Sequence, residues 1–212
     1  MAAVSGHNEP RWTSIRRGRI PLWIKIIYGL FLCILVPVYW HEYGPSNFLW
    51  ASDIALFVVF AAVCLENRLL NSMMAIGVLP LELAWNLDFL AGFAGFRLLG
   101  MASYMFDAGL PLYLRGLSLY HIMLPIVVIF MLRRFGYDLR ALLAQTLLVW
   151  VVLPITYLVT EPADNINLVF GLGEEPQTTM HPLLYLTLEM ILVPIVICLP
   201  AHLILRWVVR GR

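Results

Sequence analysis

Charge is what this chain has least of. Asp, Glu, Lys and Arg make up 13% of its 212 residues against 61% apolar residues, and the mean hydropathy is +0.84. That leaves too little polar surface to coat a soluble globule. The period-two alternation of a transmembrane barrel strand is also missing, which removes the β-barrel class. With a net charge of +1 and no basic patch interleaved with aromatics, there is no nucleic-acid interface to be read. The three cysteines, Cys33, Cys64 and Cys198, all lie inside apolar runs and form no Cys-x-x-Cys pair. They support neither a disulfide framework nor a zinc site. No repeat of 20–50 residues and no low-complexity linker divides the chain. No Asn-x-Ser/Thr sequon occurs, which fits a bacterial inner membrane.

Long apolar runs are what the chain has instead, and runs of about 20 residues are what a helix needs to cross a bilayer. The expected fold is all-α: a polytopic transmembrane bundle of six helices, near 20–40, 47–66, 69–89, 112–132, 141–158 and 182–205. Residues 1–19 carry Arg11, Arg16, Arg17 and Arg19 and read as a cytoplasmic basic arm on anionic headgroups, ahead of one transmembrane domain over 20–212. The first apolar run is too long for a signal peptide and lacks a small-x-small cleavage site, so it reads as an anchor. With both termini cytoplasmic, 12 of the 14 Lys and Arg residues fall inside and only Arg97 and Arg115 outside. Were 95–113 a further span, the split would become about seven against seven. The glycine-rich stretch 91–112 is therefore expected as a re-entrant or interfacial segment on the outer face.

The run 78–88 stands apart because it holds two acids and an amide within apolar sequence. As a helix it puts Glu82, Trp85, Asn86 and Phe89 on one face, with Asp88 about 120° away. Pro80 removes a backbone donor and frees the Ile76 carbonyl. An ionised carboxylate in lipid costs roughly 2.5–3.5 kcal/mol even on the lenient insertion scale, so such a residue faces protein or water. Threaded through six spans, Ser52, Asp53, Glu82, Asn86, Asp88, Arg115, Ser118, His121 and Glu189 all fall in the outer half. Polar residues are fewer in the inner half: Glu66, Asn71, Ser72, Gln145 and His202. This asymmetry predicts a cavity opening outward or into the outer leaflet.

Plainer roles exist for each residue. Asp53 lies where an acid complements the helix dipole, Asp88 is near enough the boundary to reach headgroup water, and Arg115 can snorkel or neutralise Glu82 or Asp53. Glu82 and Glu189 sit deeper, where interhelical hydrogen bonding is the alternative to chemistry.

Two segments resemble the androgen-induced-gene family of six-helix membrane proteins, whose members hydrolyse fatty-acid esters of hydroxy fatty acids. One is His121-Ile122-Met123-Leu124-Pro125, similar to the family's histidine followed four residues on by proline. The other is Phe48-Leu49-Trp50-Ala51-Ser52-Asp53, in the place of the family's nucleophilic threonine, with Ser52 in that role. The resemblance covers about 40 residues and the six-span layout. It implies a lipid-ester hydrolase or acyl-transfer enzyme in which Ser52 attacks and His121 takes its proton.

In that reading Glu82, Asp53 or Asp88 orients the imidazole, Arg115 or Asn86 stabilises the oxyanion, and Ser118 is a second possible nucleophile at i−3 from His121. Trp85, Ser118, Glu189 and Asp88 would line the substrate's place. No nucleophile-elbow motif accompanies either serine, and no cofactor is implied. The implied partners are membrane lipids, one of them a substrate. Three other classes stay open: a zinc shell from His41, His121 and His181 with Glu82 or Glu189; a proton or cation relay through Asp53, Glu82 and Glu189; and a non-catalytic protein that binds a lipid, quinone or protein through 91–112 and the acidic loop 160–180.

Overall fold

The computed structural model describes residues 19–173 and 175–210, so all but Arg19 of the basic arm lies outside the described residues. Among these the fold is all-α. Four helical runs are long and apolar enough to cross a membrane: Leu22–Tyr43, Leu112–Phe135, Ala141–Val159 and Pro182–Val208. A fifth candidate is a bent pair, Arg68–Gly77 with Leu79–Phe93, and a shorter apolar helix occupies Ala51–Leu65. This is the build of a multi-pass helical membrane protein.

Helix α1 (Leu22–Tyr43) shows how the sequence produces that build. It buries Tyr28, Leu32, Leu35 and Tyr39 at helical spacing and turns Leu22, Trp23, Ile26, Ile27, Leu30 and Ile34 outward. An apolar outer face beside an apolar inner one is stable only where the solvent is lipid.

Helix α2 (Ala51–Leu65) is central, with Asp53, Ala55, Leu56, Val59, Ala62 and Val63 buried. The sequence places its start near Asn47. Instead, Pro45–Leu49 forms a 3-10 turn and Trp50 is extended, so the α-helix is 15 residues long. At 1.5 Å per residue that is about 22 Å, short of the ~30 Å hydrocarbon core.

The gap is filled from the other end of the chain. Asn167, at φ 56°, accepts from the Ala51 N–H at 2.8 Å and donates to the Leu49 carbonyl at 2.7 Å. Loop 160–180 thereby closes over the end of α2. Asn165 (φ 39°) holds the loop together by accepting from Phe170 N–H and donating to the carbonyls of Gly171 and Gly173.

The predicted helix 69–89 is two helices, α3 (Arg68–Gly77) and α4 (Leu79–Phe93), bent by 50°. Pro80 lacks the N–H that the Ile76 carbonyl needs, which is why the chain turns there. Gly77 at the bend leaves room for the Gln145 side chain. Helix α3 packs against α2 and α4 and against the later helices Tyr120–Phe135, Ala141–Val159 and Leu199–Arg210, which makes it the hub of the bundle.

The predicted helix 112–132 is also broken, at Leu119, into α5 (Leu112–Ser118) and α6 (Tyr120–Phe135). Helix α7 spans Ala141–Val159. The last run joins α8 (Pro182–Val193) through a π-helical segment, Pro194–Cys198, to α9 (Leu199–Arg210), Pro194 being the cause of the widened turn.

Charged groups tie the Arg19 end of the bundle. Lys25 pairs with Glu66 at 3.0 Å, and Glu66 also accepts from the Ile20 N–H. Asp138 pairs with Arg140 at 2.9 Å and with Arg68 at 3.5 Å, and its N–H donates to Ser72 Oγ. The hydrogen bond from Arg140 holds the Asp138 carboxyl at about 2, below the usual range. Glu66 is lowered in the same way by Lys25.

Candidate functional site

The bend at Pro80 and the break at Leu119 bring the first turn of α4 against the first turn of α6. Glu82 and His121 meet there, with Nδ1 of the imidazole 2.8 Å from Glu82 Oε2. Glu82 is 3% exposed and the His121 side chain 12%. Asn86, one turn beyond Glu82, donates from Nδ2 to the carbonyls of both Glu82 and His121, each at 2.7 Å. It fastens the two helices directly beneath the pair. The Trp85 ring stacks on the imidazole with centroids 4.5 Å apart and 21° between planes, and Phe89 stacks on Trp85 at 5.1 Å.

This arrangement assigns roles to the two imidazole nitrogens. Nδ1 is committed to the carboxylate, while Nε2 has no hydrogen-bond partner among the described residues. A carboxylate holding one ring nitrogen fixes the tautomer and orientation that leave the other free to take a proton.

The face expected from the sequence run 78–88 is thus formed by Glu82, Trp85 and Asn86. The Asp88 carboxylate is taken up by the loop that follows α4. It is buried and accepts from the N–H groups of Leu98, Leu99 and Ala102 at 2.8–2.9 Å, which folds segment 94–102 back onto α4. That segment is a loop ending in a 3-10 turn, Ser103–Phe106, held by an internal carboxylate.

A second polar group lies beside the first. Asp53 is 2% exposed, accepts from Asn47 Nδ2 at 3.3 Å through Oδ2, and leaves Oδ1 without a hydrogen-bond partner. The Tyr120 hydroxyl lies against both Asp53 and Ser52, and the Tyr120 ring stacks on neighbouring His121 at 4.2 Å. Tyr39, Tyr104 and Ser118 continue the network: Tyr39 Oη and Ser118 Oγ are 2.9 Å apart, and Tyr104 lies against Ser118 and Trp85.

Other predicted site residues are placed elsewhere. Ser118 Oγ donates to the Leu114 carbonyl and lies 2.9 Å from Tyr39 Oη, one turn before His121 across the interruption at Leu119. No hydrogen bond joins Ser52 or Ser118 to His121 among the described residues. Arg115 forms no ion pair with Glu82 or Asp53 there; it donates to the Met105 carbonyl at 3.3 Å and its Nε is buried without a partner. Glu189 sits on α8, which packs against α7, and its Oε2 is buried without a partner. His41 and His181 are exposed helix-end residues, His181 accepting from the Leu183 N–H. Among the described residues no three His, Cys, Asp or Glu side chains come together to hold a metal, so the zinc shell is not assembled.

The half of the bundle toward Arg19 buries polar residues as well. Asn71, Ser72, Asp138, Gln145 and His202 are buried there. Most are consumed in local bonds, as in Tyr137 Oη to His202 Nδ1 at 2.7 Å and Asn71 Nδ2 to the Val128 carbonyl at 3.1 Å. Sequence reasoning assigned no part in the site to Tyr39, Tyr104 or Tyr120. A tyrosine inside an apolar helix needs a partner for its hydroxyl, and that was the available signal.

No protein family, curated protein or solved structure matches this chain. The fold and site define its class: a multi-pass helical membrane protein.

Proposed function

We propose that the protein is a membrane-embedded enzyme that cleaves or transfers the acyl group of a lipid ester, with His121 as general base and Glu82 as the residue that positions it. The observation that carries this reading is the 2.8 Å Nδ1–Oε2 contact, locked by Asn86 and roofed by Trp85, with Nε2 left unpartnered. A base so oriented contributes about 10²–10⁴-fold to a proton-transfer step. Ser52 is the assigned nucleophile. Ser118 is engaged by Tyr39 and the Leu114 carbonyl, whereas Ser52 sits against Tyr120 and next to Asp53. Catalytic hydrogen bonds commonly close only when substrate is bound, so the missing Ser52–His121 bond is compatible with this role.

The resemblance of 121–125 and 48–53 to the androgen-induced-gene family points to the same chemistry. Six spans with both ends cytoplasmic, in a bacterial inner membrane, is the topology that accompanies the proposal. It rests on the distribution of Lys and Arg, with α2 as a short sixth span.

The test is fluorophosphonate labelling of the purified full chain, together with turnover of a long-chain fatty-acyl ester. Labelling at Ser52 that Ser52→Ala abolishes supports the assignment. Turnover without labelling moves the attack to a water and keeps His121 as base. A wild-type protein that neither labels nor turns over long-chain esters ends the proposal.

A further inference from the structure

A cleft that the acyl chemistry leaves unexplained borders the polar group around Asp53 through Asn47. This cleft, about 190 Å³, is lined by Tyr43, Ser46, Asn47, Trp50, Asp164 and Ile166. Three separate segments build it: the end of α1, the 3-10 turn Pro45–Leu49, and the loop that Asn167 ties down over α2. Its chemistry is one-sided. Two electron-rich rings, Tyr43 and Trp50, and the exposed Asp164 carboxylate line it, with no Lys or Arg among its residues. Asn47, from its lining, donates to Asp53, which is 2% exposed and lies against the Tyr120 hydroxyl, so the carboxylate in the cleft itself is Asp164. The cleft's size sets the ligand's size, since drug-sized sites run to about 300–1,000 Å³.

We infer that this cleft binds a small organic cation, an alkylammonium group of the choline type, held between the Tyr43 and Trp50 rings with Asp164 as counter-ion. Aromatic faces attract quaternary ammonium through their quadrupole, by about 0.5–2 kcal/mol per ring, and a carboxylate at the rim supplies the opposite charge. A hydrated metal ion gains nothing from two aromatic walls, and an anion would meet the Asp164 carboxylate. The same chemistry is carried by a dissolved ammonium solute and by a choline lipid headgroup at the outer leaflet. The inference does not depend on His121 being a catalyst.

Calorimetric titration of the full-length protein with tetramethylammonium chloride, in nanodiscs of phosphatidylglycerol and against a sodium chloride blank, tests it. The expected result is saturable binding that Asp164→Asn weakens about tenfold and that Trp50→Leu weakens by a similar factor. Asp164 lies in an exposed turn, so the first variant does not endanger the fold. Repeating the titration in phosphatidylcholine nanodiscs separates the sources. Loss of the signal there identifies the lipid headgroup as occupant, and an unchanged signal identifies a dissolved cation; either supports a cation site. No saturable heat from wild type, or equal heats from wild type and Asp164→Asn, overturns it.

Discussion

At the residue scale, two side chains do what their position in the sequence only half announces. Asn86 was legible as a neighbour of Glu82 on one helix face. Its second bond, across to the His121 carbonyl, was not, because nothing local specifies which helix faces it. Replacing Asn86 with alanine leaves that carbonyl without its donor and should cost about 1–3 kcal/mol, read as a lower melting temperature in detergent. An unchanged melt would mean that water substitutes there.

Asp88 carries the opposite lesson. Its distance from the helix end pointed to headgroup water, yet the loop that follows returns and offers three N–H groups to it. Asp88→Ala strands those donors. Amide hydrogen exchange over residues 98–102 should then speed up at least tenfold, while exchange in α6 is unaffected.

At the scale of elements, the apolar runs were readable because lipid demands length and internal backbone bonding, and both leave a mark in composition. Their breaks were not. Pro80 was visible, and the sequence pointed to the freed Ile76 carbonyl without giving the 50° turn that follows. The break at Leu119 has no proline or glycine at it, so nothing local announces it. The shortening of α2 was hidden for a further reason: its cap, Asn167, lies more than a hundred residues away and in the left-handed region. Asn tolerates that conformation better than most residues, and it supplies both an acceptor and a donor. Asn167→Ala should destabilise the protein by about 1–2 kcal/mol. Limited proteolysis of loop 160–180 should rise with it, and a loop that stays resistant would argue that other contacts hold it.

At the scale of the molecule, the ion pairs of Lys25, Arg68 and Arg140 gather at the Arg19 end of the bundle, and the Glu82–His121 pair lies away from it. Asp138 connects this layout to pH. Its carboxyl is held at about 2 by Arg140, against about 3.9 for an unfolded aspartate. A carboxyl depressed on folding stabilises the fold above its unfolded value. That contribution fades as pH falls from about 4 through about 2. The melting temperature should therefore drop across that interval, and Asp138→Asn should lower it at pH 7 while flattening its dependence between pH 4 and 2. Parallel curves for wild type and variant would remove Asp138 from the account.

The central claim is that Glu82 and His121 form an oriented base. Its most direct measurement is the turnover of one long-chain fatty-acyl ester by wild type, His121→Gln and Glu82→Gln in the same lipid, with melting curves confirming that each variant is folded. The account predicts a loss of about 10²–10⁴-fold for His121→Gln and a smaller but clear loss for Glu82→Gln. A folded His121→Gln protein that turns over as fast as wild type would contradict it.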